Sequence, residues 1–176
     1  TIYLCDGILC DIFVTLFTGF LIGLGGGINV LVARYYGAGR AKDVKKTVGS
    51  SLIISLIAGV ILLLVGLFGS PALLKTINTK PDLRPGAVMY LRVYFLGMPA
   101  LALYNYGNAV FSAIGDTKKP LIFLAIAGVL NVILNLFFVI VCHLSVVGVA
   151  LASAISQCVS AGLILHALTK VQDSYA

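Results

Sequence analysis

The sequence predicts an all-α fold, a polytopic membrane bundle of five transmembrane helices, and three observations carry that prediction. The 176 residues are 60% hydrophobic and 10% charged, with a mean hydropathy of +1.10, whereas a soluble domain carries roughly 25% charged residues. The apolar residues fall into five runs of a length that spans a bilayer, which takes about 20 residues per helix. The charges lie mainly between the runs and sort to alternate sides of them.

The spans are expected near Ile12–Ala33, Val48–Phe68, Ala87–Phe111, Leu121–Cys142 and Val146–Leu168. In the first, Gly19, Gly23 and Gly27 recur every fourth residue beside Gly25 and Gly26. Such spacing lets helix backbones approach closely in lipid, so this stripe is expected to pack helices. It lies mid-span with no strand before it, which argues against a phosphate loop. Arg34–Thr47 reads as a turn and short basic connection, with Gly37 and Gly39 ending the first helix. The second span repeats the small-residue device with Ser51, Ser55 and Gly59. Gly69–Pro85, with Pro71, Pro81 and Pro85, reads as the longest loop.

The third span holds Arg92, which must snorkel outward or find a partner. It also holds Pro99 just after Gly97, which removes a helical hydrogen bond and makes this the expected hinge. Beyond the kink, Tyr104, Asn105 and Asn108 share a face, with Tyr106 beside them; that face suits a solvent-filled cavity, and Tyr106 suits an interfacial anchor equally well. Gly115–Pro120 is a tight turn in which Asp116 or Thr117 caps the next helix. The fourth span places Asn131 and Asn135 on one face, and Ser153, Ser156 and Gln157 of the fifth can lie opposite. Amides in hydrocarbon either join helices to one another or bind an ion or substrate through their oxygens. Both readings stand at this point.

Lys and Arg cluster at Arg34, Arg40, Lys42, Lys45 and Lys46, at Lys118 and Lys119, and at Lys170, eight on one side of the membrane. The other side holds four, Lys75, Lys80, Arg84 and Arg92, with Asp6, Asp11 and Asp82. The positive-inside bias assigns the first set to the cytoplasm, with Thr1 outside and the C-terminus inside. The net charge of +6 is thus a topology signal, not a nucleic-acid surface. Cys5, Cys10, Cys142 and Cys158 have no metal-ligand spacing with one another or with His143 and His166, and no metal or cofactor is expected. Cys142 and Cys158 read as buried packing thiols, and both histidines as surface or helix-end residues. The chain has no Glu, and no Asp falls deep in a span, so it supplies no titrating intramembrane acid. It opens on Thr1 and reads as a fragment.

Tyr90–Gln157, with its GDTKKP turn and NVILN stretch, resembles the bacterial multidrug and toxic compound extrusion (MATE) transporters, and GLGGGINVLVARYYGAG is similar to their second helix. The resemblance implies the second to sixth helices of a twelve-helix fold, a partial N-terminal lobe without the first helix or the C-terminal lobe. It implies a non-enzymatic antiporter in the cell membrane that exports small organic, often cationic, drugs against Na⁺ or H⁺. Asn131, Asn135 and Ser153 then match a cation site, and Asn105 and Asn108, with Tyr104 beside them, match substrate contacts. The family's essential aspartate lies on the first helix, outside this chain. Ser112 departs from the arginine often found before the turn. A lipid-linked oligosaccharide flippase of the same superfamily and a non-transporting scaffold are the alternatives.

Overall fold

The computed structural model describes residues 2–76 and 84–174. Its elements are α1 (Ile2–Gly37), α2 (Ala41–Thr76), α3 (Arg84–Leu96), α4 (Met98–Ala113), α5 (Lys118–Leu136), a π-helical turn (Phe137–Val141) and α6 (Ser145–Ser174). No strand occurs among the described residues. Five stretches are long and apolar enough to cross a membrane: Val14–Gly37, Ala41–Ala72, Pro85–Ala113, Lys118–Val141 and Val147–Lys170. The all-α class and the five spans are as the sequence predicts.

The helices extend further than the spans. Only Ala38–Arg40 separates α1 from α2, so the basic residues expected in a connection ride on the first turns of α2. The turn is tight because Gly39 adopts φ 67°, which a residue without Cβ does freely. Its N–H donates to the Tyr36 carbonyl at 3.1 Å, and the Arg40 N–H to the Tyr35 carbonyl at 3.1 Å, the Schellman pattern that closes a helix end. An Arg40–Asp43 ion pair at 2.6 Å then starts α2. Gly115 (φ 86°) repeats the device after α4, with its N–H on the Ser112 carbonyl and that of Asp116 on the Phe111 carbonyl. At that turn the Lys119 side chain, hydrogen-bonded to Asp116, holds the Asp116 carboxyl below its usual range.

The expected loop Gly69–Pro85 is also shorter, because α2 runs through Pro71 to Thr76; Pro81 lies outside the described residues. Pro71 has no N–H to give the Leu67 carbonyl. Arg92 supplies the missing donor, its Nε reaching the Leu67 oxygen at 3.2 Å. One residue's defect thereby answers the other's need. The Ser70 hydroxyl meets the neighbouring Gly66 carbonyl in the same way.

α4 is the central helix and packs against α1, α2 and α6, while α5 lies outside, mainly against α6. Two apolar clusters fill the interior. One joins Ile28, Val32, Val48, Tyr104, Tyr106, Phe111 and Ile164; the other joins Leu21, Leu62, Leu74, Leu91, Phe95 and Met98. Small residues set the spacing. A Cβ on Gly66 would lie 2.0 Å from the Phe95 ring, and one on Gly59 would lie 2.7 Å from the Pro99 Cα. Gly59 and the buried Ser51 and Ser55 therefore pack α2 as expected.

The stripe of α1 does not. Gly19, Gly23 and Gly27 are exposed, and a Cβ on any of them would meet nothing within 4 Å. The close approach in α1 is made instead by Gly25, whose Cβ would stand 3.3 Å from the Asn105 carbonyl. Spacing identifies a face that admits a helix, but Gly25 belongs to the face that meets α4. Cys142 and Cys158 are exposed rather than buried, the first just past the π-helical turn and the second on α6. The side chains of Asp6, Asp11, Cys5 and Cys10 lie outside what is described.

Thermal unfolding of the protein in detergent tests the packing. Gly66→Ala is expected to destabilise by roughly 1–3 kcal/mol through overpacking, more than Gly19→Ala. Equal effects would refute the assignment of the buried face.

Candidate functional site

The two asparagines of α5 meet α6 through a polar ladder. The Asn135 Nδ2 donates to the Asn131 Oδ1 at 2.8 Å, and the Asn131 Nδ2 donates to the Ser153 Oγ at 3.4 Å. The first contact follows from helix geometry, since residues four apart share a face. The second is long and joins two helices. The remaining oxygen, Asn135 Oδ1, is buried and has no hydrogen-bond partner. A buried acceptor left unpaired costs about 1–3 kcal/mol, so this oxygen is a place where a donor or a cation is favoured.

The structure thus brings Asn131, Asn135 and Ser153 together as the sequence predicts. Amide and hydroxyl oxygens are hard ligands suited to Na⁺, and the orphaned Asn135 oxygen fits such a guest. The three groups are neutral, however. They also supply only three oxygens, so a cation held there needs further ligands. Among the described residues no three His, Cys, Asp or Glu side chains cluster to hold a metal ion.

The residues expected to contact substrate behave differently from one another. Tyr104 is buried in the apolar core, and its hydroxyl donates to the Pro120 carbonyl at 3.1 Å. That corrects its assignment as an open aromatic face: Pro120 begins α5 next to this part of α4, and its carbonyl captures the phenol. Tyr106 is neither an interfacial anchor nor a cavity wall, since it is buried and donates to the Val48 carbonyl at 2.9 Å. Asn105 and Asn108 stay half-buried. The Asn105 amide donates back to the Leu101 carbonyl at 2.9 Å. Pro99 sits in the first turn of α4, with the break between the helices at Gly97 just before it.

The Tyr104 hydroxyl reaches Pro120, and Asn131 lies eleven residues further along α5 from that contact, roughly 16 Å at 1.5 Å per residue. Along most of its length α5 is separated from α4 by α6.

Two polar groups went unread in the sequence. The Asn29 Nδ2 bridges α1 to α4 through the Ala109 carbonyl at 3.0 Å; a lone amide in a glycine-rich span was the available signal. Thr18 Oγ1 is buried without a partner, and nothing in the sequence sets a single threonine apart. Gln157, noted only as an extra polar group, also has an unpaired buried oxygen.

A bundle of five membrane-length apolar helices defines the chain as a multi-pass membrane protein. The chain belongs to the MatE family, whose profile matches residues 7–137. It is 29% identical over 138 residues to "Probable multidrug resistance protein YpnP" of Bacillus subtilis, covering 78% of this chain and 31% of that protein. It is 30% identical over 142 residues to "Multidrug export protein MepA" of Staphylococcus saprophyticus, covering 81% of this chain and 31% of that one. A crystal structure of MATE in complex with MaL6 aligns at TM-score 0.92 and 26% identity, over 100% of this chain and 39% of that chain. The chain spans only 21% to 34% of the length of the first curated relatives it matches.

Tyr106→Phe isolates one of the hydroxyl-to-carbonyl ties. The Val48 carbonyl then loses its tie from the tyrosine, and a stability loss of about 1 kcal/mol is expected, read as a lowered unfolding midpoint. An unchanged midpoint would show that the tie contributes nothing.

Proposed function

We propose that this chain is part of the N-terminal lobe of a cation-coupled antiporter that exports small organic, often cationic, drugs. The observation that carries the reading is the unpaired Asn135 oxygen at the end of the Asn135–Asn131–Ser153 ladder, in a chain of this family. Na⁺ suits these oxygens directly; coupling to H⁺ requires a titrating acid from a segment that the described residues do not include. In this reading the Asn131 and Asn135 oxygens and the Ser153 hydroxyl hold the cation beside that acid. Occupancy favours one arrangement of the helices, because only differential binding shifts a conformational equilibrium. Asn105 and Asn108, half-buried on the central helix, orient the drug.

The rest of the same polypeptide is the necessary partner, together with the lipid bilayer; nucleic acid is not. The charge distribution supports a C-terminus in the cytoplasm, with Lys42, Lys45, Lys46, Lys118 and Lys119 all exposed on the turns. Arg92 is exposed and engaged by the Leu67 carbonyl. Among the described residues no deep cation therefore speaks for the anionic headgroups a lipid flippase must carry.

The complete protein reconstituted in liposomes decides the matter. Drug uptake driven by an imposed Na⁺ or pH gradient is expected in the wild type, and Asn131→Ala is expected to reduce it at least ~10-fold, about 1.4 kcal/mol, at normal expression. Full gradient-driven transport by that variant would sink the cation-site reading. Failure of either gradient to drive any drug would sink the antiporter reading itself.

A further inference from the structure

The third span is two helices, and their junction has unusual surroundings. The Gly97 N–H donates to the Tyr94 carbonyl at 3.0 Å, one residue short of the α-helical partner, and the Leu101 N–H donates to the Gly97 carbonyl at 2.9 Å. Pro99 has no N–H to give the Phe95 carbonyl. Two glycines let neighbouring helices close on this point. A Cβ on Gly59 of α2 would stand 2.7 Å from the Pro99 Cα. A Cβ on Gly97 would stand 2.4 Å from the Gln157 Oε1 and 3.1 Å from the Ala154 Cα, both on α6. The tip of Gln157 fills the notch that Gly97 leaves.

That oxygen is buried and has no hydrogen-bond donor. Atoms of this same chain bury it, so no other segment reaches it unless α6 or the junction moves. Thr18 adds a second unpaired oxygen from α1. Asn29 bonds Ala109 at a separation of 80 residues, and Gly25 faces Asn105 at the same separation; carried back along the helices, this register sets Thr18 level with Met98. Two unpaired polar groups, an amide oxygen and a hydroxyl, therefore sit at the height of the one break in the central span.

We propose that the junction at Gly97 is a moving joint of the transport cycle and that Gln157 is its positioning residue. The arrangement seen here holds the Gln157 oxygen without a donor, so any rotation of α3 against α6 that brings it a donor or admits water is favoured by that amount. Gln157 thereby sets the balance between two angles of the joint without touching drug or cation. This inference rests on the antiporter reading only for the word transport; the joint itself is a property of the helices.

The test uses the complete protein in lipid bilayers, with native cysteines replaced and spin labels at Met89 on α3 and Ile155 on α6, both exposed. Two distance populations are expected in the wild type. Gln157→Leu, of similar size but without an acceptor, is expected to shift their ratio about tenfold towards the arrangement described here. Maximal drug transport should fall while the half-saturating drug concentration stays within about twofold. Gly97→Ala pushes a methyl against the Gln157 oxygen and should shift the ratio the other way; adding Gln157→Ala to it removes both clash and acceptor and should move the ratio back towards the arrangement described here. A single population that Gln157→Leu leaves unchanged overturns the proposal, as does a Gly97→Ala effect that persists undiminished in the double variant. If the wild type moves no drug, the antiporter reading fails, and the distances still judge the joint.

Discussion

Hydrocarbon offers no hydrogen bonds, so every backbone group at membrane depth must be satisfied by the protein. The bundle answers that demand at several places where a helix is interrupted. Pro71 frees a carbonyl within α2, and Arg92 takes it. The ends of α1 and α4 close through left-handed glycines that return their last N–H groups to carbonyls. The phenols of Tyr104 and Tyr106 donate to carbonyls at Pro120 and Val48, in the first turns of their helices. Against this background of satisfied groups, the few that remain unpaired stand out.

Those few are Thr18 Oγ1, Asn135 Oδ1 and Gln157 Oε1 among the described residues. All are oxygens on helices that border α4 or α6. The two amide oxygens only accept, so they attract a proton donor, water or a cation; the Thr18 hydroxyl can donate as well. In the ladder of Asn131, Asn135 and Ser153 the unpaired oxygen stands at the end of two amide-donated hydrogen bonds, so the polarity of the ladder runs towards it.

Much of the fold was legible because bilayer thickness imposes it: a run of about 20 apolar residues has few alternatives. Helix ends were less legible. Hydropathy marks where hydrocarbon stops, while α1 and α2 continue past it, so Arg34–Thr47 looked like a connection and is mostly helix. The glycines at 19, 23 and 27 signalled that a close approach is permitted but not which face receives it, and Gly25 is the residue α4 meets. The Asn131–Asn135 pair was readable since helical spacing alone puts it on one face. Tyr104 was misread because its fate depends on Pro120, sixteen residues away, whose carbonyl no local pattern places beside it.

The two phenolic ties have a mechanical effect. Both lie toward one end of the bundle, binding the start of α2 and the start of α5 to the same stretch of α4. Each tie is a single bond from a ring to a backbone carbonyl, so α2 or α5 can part from α4 at that end only by breaking it.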